Sequence, residues 1–233
     1  MRLDFSTFSL AGVDWSPLWI SVKAALFSTL ITFWLGLWAA WRLYKAGPKV
    51  NSVVDGVFTL PMVLPPTVVG VFLLILLGKN SLLGQALAAL GAQVVFSFSA
   101  TVIAAVVVTF PLMYRTARGA FEQLDQNLLS AARTLGLCES AVFFRIALPL
   151  SWPGVIAGTI LAFARAMGEF GATLLLAGNI PGRTQTIPIA IYFAVQGGKN
   201  ELAMLWVGII VALSFGMIAV MNHLTRRRGG RRR

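Results

Sequence analysis

Two opposite charges, Arg165 and Glu169, lie deep inside one apolar run of the sequence. Four residues apart on a helix, they share a face and can pair. A lone charge in mid-bilayer costs several kcal/mol, about 3 or more, so pairing explains how both are tolerated. Two interpretations remain open. Arg165 attracts an anion that Glu169 holds or gates, or the two form a buried structural pair at a dimer interface. The second is favoured, because a carboxylate on an anion path repels the substrate.

Small and aromatic residues accompany this pair. Gly168 and Gly171 flank Glu169 and Phe170, and small residues at this spacing allow helices to cross closely. The ring of Phe170 is either an apolar plug that gates a path or an ordinary packing residue. The sequence favours neither.

Three prolines, Pro61, Pro65 and Pro66, interrupt another apolar run. Proline lacks an N–H group and disturbs the carbonyl four residues earlier, which here affects Val57, Pro61 and Met62. In lipid such carbonyls are costly to leave free, so they should face protein or water. A kinked helix that lines a translocation path and a kink needed only for packing are both consistent with this pattern.

The sequence offers no catalytic set and no nucleotide-binding motif. It lacks a glycine-rich loop that ends in Gly-Lys-Ser/Thr, and its one histidine, His223, cannot complete a Ser-His-Asp triad. Its one cysteine, Cys138, cannot form an intrachain disulfide, and no residues have metal-ligand spacing. We therefore expect no enzyme, no resident cofactor and no metal; any ATP must be hydrolysed by another chain.

The composition is that of a membrane protein. Of 233 residues, 58% are hydrophobic and only 12% are charged, against about a quarter charged in soluble domains. The net charge of +11 does not indicate nucleic-acid binding, because the basic residues form no helical stripe with interleaved aromatics. The amino end lacks the pattern of a cleaved signal peptide, so the first apolar run is expected to remain as a membrane helix.

Five apolar runs are long enough to cross about 30 Å of hydrocarbon as helices. They are 18–41, 53–77, 96–114, 153–176 and 203–221. A shorter run, 187–195, is predicted to be interfacial or re-entrant, and 82–90 is predicted to be a surface helix. The fold class is therefore an all-α polytopic membrane protein, expected to be one domain over 1–233.

The distribution of lysine and arginine predicts the orientation. With the amino end outside and the carboxyl end inside, segments 42–52, 115–152 and 222–233 face the cytoplasm. These segments carry 13 of the 19 basic residues: Arg42, Lys45, Lys49, Arg115, Arg118, Arg133, Arg145, Arg226, Arg227, Arg228, Arg231, Arg232 and Arg233. The arginine-rich tail is interpreted as a topology anchor that touches anionic lipid headgroups.

The segment 118–150 is predicted to form two short cytoplasmic helices. Apolar residues recur in it at helical spacing, and Gly136 between its halves suits the position that follows a helix. Pro149 is expected to end the second helix, and Ser151 and Pro153 suit the cap and first turn of the next membrane helix. Such an amphipathic pair either binds a protein partner or lies on the membrane surface.

This segment also carries a family pattern. It contains Ser130-Ala131-Ala132-Arg133-Thr134-Leu135-Gly136, then nine residues, then Ile146-Ala147-Leu148-Pro149. The pattern resembles the coupling loop of binding-protein-dependent ABC importer permeases: Glu-Ala-Ala, three residues, Gly, nine residues, Ile-x-Leu-Pro. Ser130 replaces the glutamate, which puts in doubt any ion pair from that position.

The resemblance implies that coupling helices at about 121–149 dock in a groove on an ATPase subunit. Ala131 and Ala132 would then permit close approach, Gly136 the turn, and Leu135 and Ile146 apolar anchoring. Leu148 and Pro149 complete the pattern.

Further stretches are similar to the molybdate branch of this family, over about residues 15–222. They are 60–70, which contains the three prolines; 164–173, which is shared with sulfate permeases; and 179–188. The resemblance implies a type I ABC importer permease in the bacterial inner membrane. It would act as a homodimer with two ATPase subunits and an extracytoplasmic oxyanion-binding protein. Alternatives are a sulfate or tungstate permease, a passive anion channel, or a membrane scaffold for a cytoplasmic enzyme.

Overall fold

The computed structural model describes residues 12–44 and 48–229, with side chains as far as 221 except those of 48–51. The side chains of the predicted basic tail, and those of Lys45 and Lys49, lie outside this set. Every regular element in the described residues is a helix. They are α1 Ser16–Tyr44, α2 Pro48–Val63, α3 Pro66–Leu77, α4 Leu82–Ala89, α5 Phe98–Glu122, α6 Gln126–Thr134, α7 Glu139–Val142, a π-helical segment Phe143–Ala147, α8 Leu148–Met167, α9 Gly171–Ala177, α10 Ile187–Gln196 and α11 Asn200–Gly229.

Four uninterrupted helical stretches are long and apolar enough to cross a bilayer: Ser16–Tyr44, Phe98–Glu122, Glu139–Met167 and Asn200–Met221. Large apolar side chains cover their outer surfaces, as Trp19 (62% exposed) and Trp34 (60% exposed) do on α1. Contiguous exposed apolar surface of this kind is stable only against lipid or another protein. Three of the five predicted spans are thus confirmed as longer helices; the fourth, predicted over 153–176, is instead Glu139–Met167, which begins and ends earlier in the chain.

The remaining predicted span, 53–77, is broken. Residues Ser52–Val63 and Pro66–Leu77 form two helices whose axes differ by 111°, so the prediction of one kinked helix over 53–77 was wrong. Pro65 is the reason. A residue that precedes proline is driven out of the helical region, and Pro65, which precedes Pro66, adopts φ −54° and ψ 137°.

The broken pair nevertheless carries the chain across the membrane. Helices α1 and α5 run in the same direction, as three contacts in order along α1 show: Phe27 with Phe98, Gly36 with Met113, and Trp41 with Phe121. Two parallel spans require the intervening segment to return to the first face. We call the face where α1 begins the Trp15 face and the face where it ends the Tyr44 face.

Helix α5 is the centre of the bundle. It packs against α1, α2, α8 and α9, and small residues make the close contacts possible. A Cβ atom added to Gly36 would lie 2.8 Å from Cγ of Met113, and one added to Gly158 would lie 2.9 Å from Cβ of Thr116. The main core cluster joins α1, α5 and the 126–147 segment at the Tyr44 face and includes Trp41 and Phe121.

The helix that contains Pro149 does not end there. Residues Glu139–Met167 form one continuous helical stretch, and the N–H of Leu148 donates to the carbonyl of Phe143, five residues back. This π-helical turn lets the helix continue through Pro149. Ser151 is therefore no cap: it is buried inside α8, and its hydroxyl donates to the carbonyl of Ala120 (3.2 Å). Pro153 likewise lies within α8 rather than in its first turn.

The two shorter apolar runs, 82–90 and 187–195, form short helices, α4 and α10. Helix α4 is mostly exposed and is capped by the hydroxyl of Ser81, which accepts the N–H of Gly84 (2.8 Å). Helix α10 is too short to span a bilayer and packs mainly on α11. The N–H of Ile187 at its start donates to the hydroxyl of Ser21 on α1 (2.8 Å).

Candidate functional site

The predicted run 153–176 is not one helix. Helix α8 ends at Met167, and α9 begins at Gly171 after a break at Gly168, Glu169 and Phe170. Phe170 has φ −124° and ψ −60°, which is not helical. The break coincides with the glycines and the buried charge, because Glu169 bonds to the backbone of α9 instead of continuing α8.

Arg165 and Glu169 form the predicted pair. Nη1 of Arg165 lies 2.7 Å from Oε2 of Glu169, whose side chain is 2% exposed against 37% for the arginine. The other carboxylate oxygen, Oε1, accepts the N–H of Ala172 (2.9 Å). One carboxylate thus neutralises a cation on α8 and satisfies an amide in the first turn of α9. Its burial leaves no room for direct contact with an anion, which supports the structural interpretation of Glu169.

The two broken spans meet at their breaks. A Cβ atom added to Gly171 would lie 3.1 Å from the backbone nitrogen of Thr67, in the first turn of α3. One added to Gly70 would lie 2.9 Å from Cα of Ala172. Glycine at both positions lets α3 and α9 pack backbone to backbone. Pro66 at the start of α3 is thereby brought beside Gly171, two residues after Glu169, and the break in one span supports the break in the other.

Replacing Gly70 by alanine is expected to lower thermal stability. The added methyl group would meet the Cα of Ala172, and backbone cannot move aside as a flexible side chain can. Overpacking of this kind costs about 1–3 kcal/mol. Gly208→Ala is the matched control, since a Cβ at Gly208 meets no atom within 4 Å. Melting temperatures of the two purified variants check this; equal values would show that the α3–α9 contact is looser than described.

Phe170 projects from the break towards α10. Its ring centroid lies 5.2 Å from that of Tyr192 in a tilted arrangement, and the side chain is half-buried. Tyr192 was missed from the sequence, because its run was interpreted only as a short interfacial or re-entrant segment. The contact is compatible with a gate and with simple packing. Of the predicted prolines, Pro65 and Pro66 lie at the first break, and Pro61 lies one turn earlier inside α2.

The predicted coupling residues lie in α6 and the segment that follows, at the Tyr44 face. Asp125 caps α6 by accepting the N–H of Asn127 (2.8 Å). Gly136 has φ +85°, so the predicted turn after α6 is confirmed. Arg133 and Glu139 pair at 2.8 Å between Nε and Oε1 and bridge the turn.

Two faces of this segment differ in burial. The inner face packs into the main core cluster and consists of Leu129, Ala132, Val142 and Ala147. On the outer face, Ser130, Ala131 and Pro149 are exposed and Leu135 is 83% exposed. Ile146 and Leu148 are half-buried against the core cluster. Ala132, Ile146 and Leu148 therefore contact this chain itself, because only one side of each helix can face outward.

A polar cluster that the sequence did not suggest joins α2 to α5. Oδ1 of Asp55 accepts the hydroxyl of Tyr114 (2.9 Å) and Nη1 of Arg118 (3.1 Å), and its Oδ2 lies 3.4 Å from Nη2 of Arg115. Arg118 also pairs with Glu122 at 2.8 Å. The one sequence feature that could have pointed to this cluster is the spacing of Tyr114 and Arg118, which are four residues apart and share one helix face. The cluster ties the first half of the broken span to the central helix.

Similar proteins are membrane components of transport systems. Residues 32–229 match the family described as the binding-protein-dependent transport system inner membrane component. The putative molybdenum transport system permease protein YvgM of Bacillus subtilis is 43% identical over 209 residues, which cover 89% of this chain and 92% of the relative. The molybdenum transport system permease protein ModB of Escherichia coli K12 is 40% identical over 230 residues, covering 95% and 99%.

A sulfate transport system permease protein, CysW of Synechocystis, is 33% identical over 216 residues that cover 92% of this chain and 78% of the relative. Among solved structures, an inward-facing conformation of the MetNI methionine ABC transporter superposes with a TM-score of 0.73 at 16% identity, covering 94% of this chain and 99% of that chain. This confirms the predicted importer permease fold. The chain belongs to the inner membrane component family of binding-protein-dependent transport systems, as a multi-pass permease subunit and not an enzyme.

Proposed function

We propose that two copies of this chain form the membrane-spanning unit of an ATP-driven importer for molybdate. The assignment of molybdate as the substrate rests on the sequence identity to two molybdenum permeases over most of their length, which exceeds the identity to the sulfate permease. ATP is hydrolysed by two separate ATPase subunits, and an extracytoplasmic binding protein selects the oxyanion. High-affinity recognition of a tetrahedral dianion needs many converging donors, which a pathway that only passes the ion on does not require.

Dimerisation supplies the second half of the path. A single chain with five crossings is too small to enclose an alternating-access route, and the two broken spans are the elements suited to move. Broken helices surrounded by protein are where transporters place irregular backbone. In this proposal the α3–α9 contact, the Arg165–Glu169 pair and Phe170 form the moving part of the path, while Arg165, with the more exposed of the two charges, faces the passing anion.

The outer face of α6 is the proposed docking surface for the ATPase. Leu128, Ala131 and Leu135 follow one another at i, i+3 and i+7, so they share one face of the helix, and all three are exposed. An apolar helix face laid in a groove is a common mode of recognition. Ser130 is exposed next to Ala131, and Pro149 is exposed near the start of α8. Ala132, Ile146 and Leu148 pack in or against the core cluster.

Cys138 provides a test of orientation and docking together. It is the only cysteine and is exposed, and hydrogen bonds with Ser140 and nearby backbone lower the pKa of its thiol. A lower pKa leaves more thiolate at neutral pH, so maleimide labelling should reach its full rate at a lower pH than for an ordinary thiol. We expect a membrane-impermeant maleimide to label Cys138 in inverted vesicles and not in intact cells.

Assembly with the ATPase should slow this labelling. The rate of maleimide labelling of Cys138 is measured on the purified permease and on its complex with the ATPase. The rate at which the same maleimide reacts with glutathione in each buffer serves as the reference. Labelling from outside intact cells would place the Tyr44 face in the extracytoplasmic space and refute the orientation. Equal rates with and without the ATPase would place Cys138 away from the docking surface.

The transport proposal is tested in cells. Deletion of the gene should lower molybdenum accumulation at nanomolar molybdate, and the intact chain supplied in trans should restore it. Accumulation is measured by elemental mass spectrometry with sulfate or tungstate in excess. Loss of molybdenum accumulation when sulfate is in excess would favour the sulfate alternative. Uptake that survives ATP depletion would favour a passive channel.

A further inference from the structure

A cavity of about 620 Å³ opens at the Trp15 face, between the start of α1, the start of α5 and the loop that follows α9. Its lining includes Ser16, Trp19, Lys23, Phe98, Gly182 and Arg183. None of the residues proposed for translocation or coupling belongs to it. It is therefore a separate feature of the surface.

The cavity is cationic. Lys23 and Arg183 both line it, and no acidic residue does. Within the described part of the chain, neither cation has a carboxylate within salt-bridge distance. The nearest acid in sequence, Asp14, is engaged by Ser16, whose backbone N–H and hydroxyl donate to its two oxygens at 2.9 and 2.8 Å. Two exposed cations that no carboxylate of the described residues neutralises can bind an anion from outside.

The backbone of Lys23 lies one helical turn inside the membrane interface. Trp19 and Trp38 are both exposed on α1, and 19 residues of helix separate them by about 29 Å, the thickness of the hydrocarbon core. Tryptophans at this spacing are typical of the two membrane interfaces. Lys23 lies one turn inside the first interface, so its aliphatic stem would run along apolar surface while its ammonium group reaches back to the headgroup layer.

Below the cavity the surface of α1 is apolar. Leu26, Phe27 and Leu30 are each about half exposed or more, and the ring of Phe27 meets that of Phe98 edge-on at 6.3 Å. The cavity wall thus continues directly into lipid-facing surface. A free inorganic ion would not use that surface, whereas a molecule with a charged head and hydrocarbon chains would.

We propose that Lys23 and Arg183 bind the phosphate group of an anionic phospholipid in the leaflet at the Trp15 face. The two cations contact the phosphodiester oxygens, Trp19 packs beside the headgroup at the interface, and the acyl chains lie along Leu26, Phe27 and Leu30. This proposal depends on the location of the protein in a membrane. It does not depend on which ion the protein transports.

Native mass spectrometry of the full chain, titrated with phosphatidylglycerol and separately with phosphatidylcholine, tests the site. Phosphatidylglycerol should bind at least about tenfold more tightly than phosphatidylcholine. Each basic residue near a membrane surface contributes about fivefold to anionic-lipid binding, so the double variant Lys23→Gln/Arg183→Gln should bind phosphatidylglycerol about 25-fold more weakly. Lys199→Gln, which removes a cation outside this cavity, should bind it as the unmodified chain does.

The charge-conserving double variant Lys23→Arg/Arg183→Lys separates loss of the site from loss of the fold, and it should retain binding. Unchanged phosphatidylglycerol affinity in the glutamine double variant would overturn the proposal. So would displacement of phosphatidylglycerol by millimolar inorganic phosphate or molybdate, which would assign the cavity to a small oxyanion instead.

Discussion

Replacing Ala131 by arginine is expected to abolish ATP-driven uptake while the permease remains folded in the membrane. Ala131 is exposed on the outer face of α6, so the chain by itself accommodates the longer side chain. In the assembled importer the arginine would be forced into an apolar groove, where an unpaired buried charge costs about 3–5 kcal/mol. That corresponds to about 100-fold or more in affinity for the ATPase.

Neighbouring positions provide the controls. Ala132→Arg should instead destabilise the permease, because Ala132 packs inside its own core cluster. Gln126→Arg adds the same charge at an exposed position of α6, about 140° around the helix from Ala131 and off the Leu128–Ala131–Leu135 face, and should assemble normally. Co-purification with the ATPase, melting temperature and uptake are measured for all three. Full assembly and transport by the Ala131→Arg protein would refute docking through this face.

Replacing Glu169 by alanine is the substitution expected to damage the membrane region most. It removes the partner of Arg165 and the acceptor for the N–H of Ala172 at once. Breaking a buried pair from one side costs about 3–5 kcal/mol, so we expect a large drop in melting temperature and the loss of uptake. Glu169→Gln keeps an acceptor for the Ala172 amide and should recover part of the stability.

Arg165 distinguishes a structural pair from an anion contact. Arg165→Met leaves the carboxylate of Glu169, which is 2% exposed, without its cation, and should cost a similar amount of stability to Glu169→Ala. If the guanidinium also faces the passing anion, Arg165→Met will lower uptake far more than its stability explains, and Arg165→Lys will restore it in part. Uptake that follows stability in every variant would leave the pair with a structural role only.

Features that depend on local spacing were predictable from the sequence. The five crossings follow from the length of the apolar runs, the Arg165–Glu169 pair from its four-residue separation, and the turn at Gly136 from the position of glycine after an amphipathic helix. Each involves residues close together in the chain, for which helix geometry alone gives the answer.

Features that depend on residues far apart in the chain were not predictable from the sequence. Pro149 was expected to end a helix, but the π-helical turn before it lets the helix continue. The break at Glu169 arises because its carboxylate binds the backbone of α9, and the contact of Gly70 with Ala172 requires α3 to turn back at Pro65. Asp55 and Tyr114, 59 residues apart, carried no local signal that they meet. The sequence also could not tell that Ala131 faces outward and Ala132 inward.

The most direct test of the importer assignment is oxyanion uptake into proteoliposomes that contain the permease, its ATPase and its binding protein. Radioactive molybdate should accumulate against its gradient only when ATP is supplied to the side of the membrane that exposes the Tyr44 face. Accumulation should cease with Ala131→Arg and persist with Gln126→Arg. Molybdate that equilibrates without ATP, or ATP-driven uptake of sulfate with none of molybdate, would contradict it.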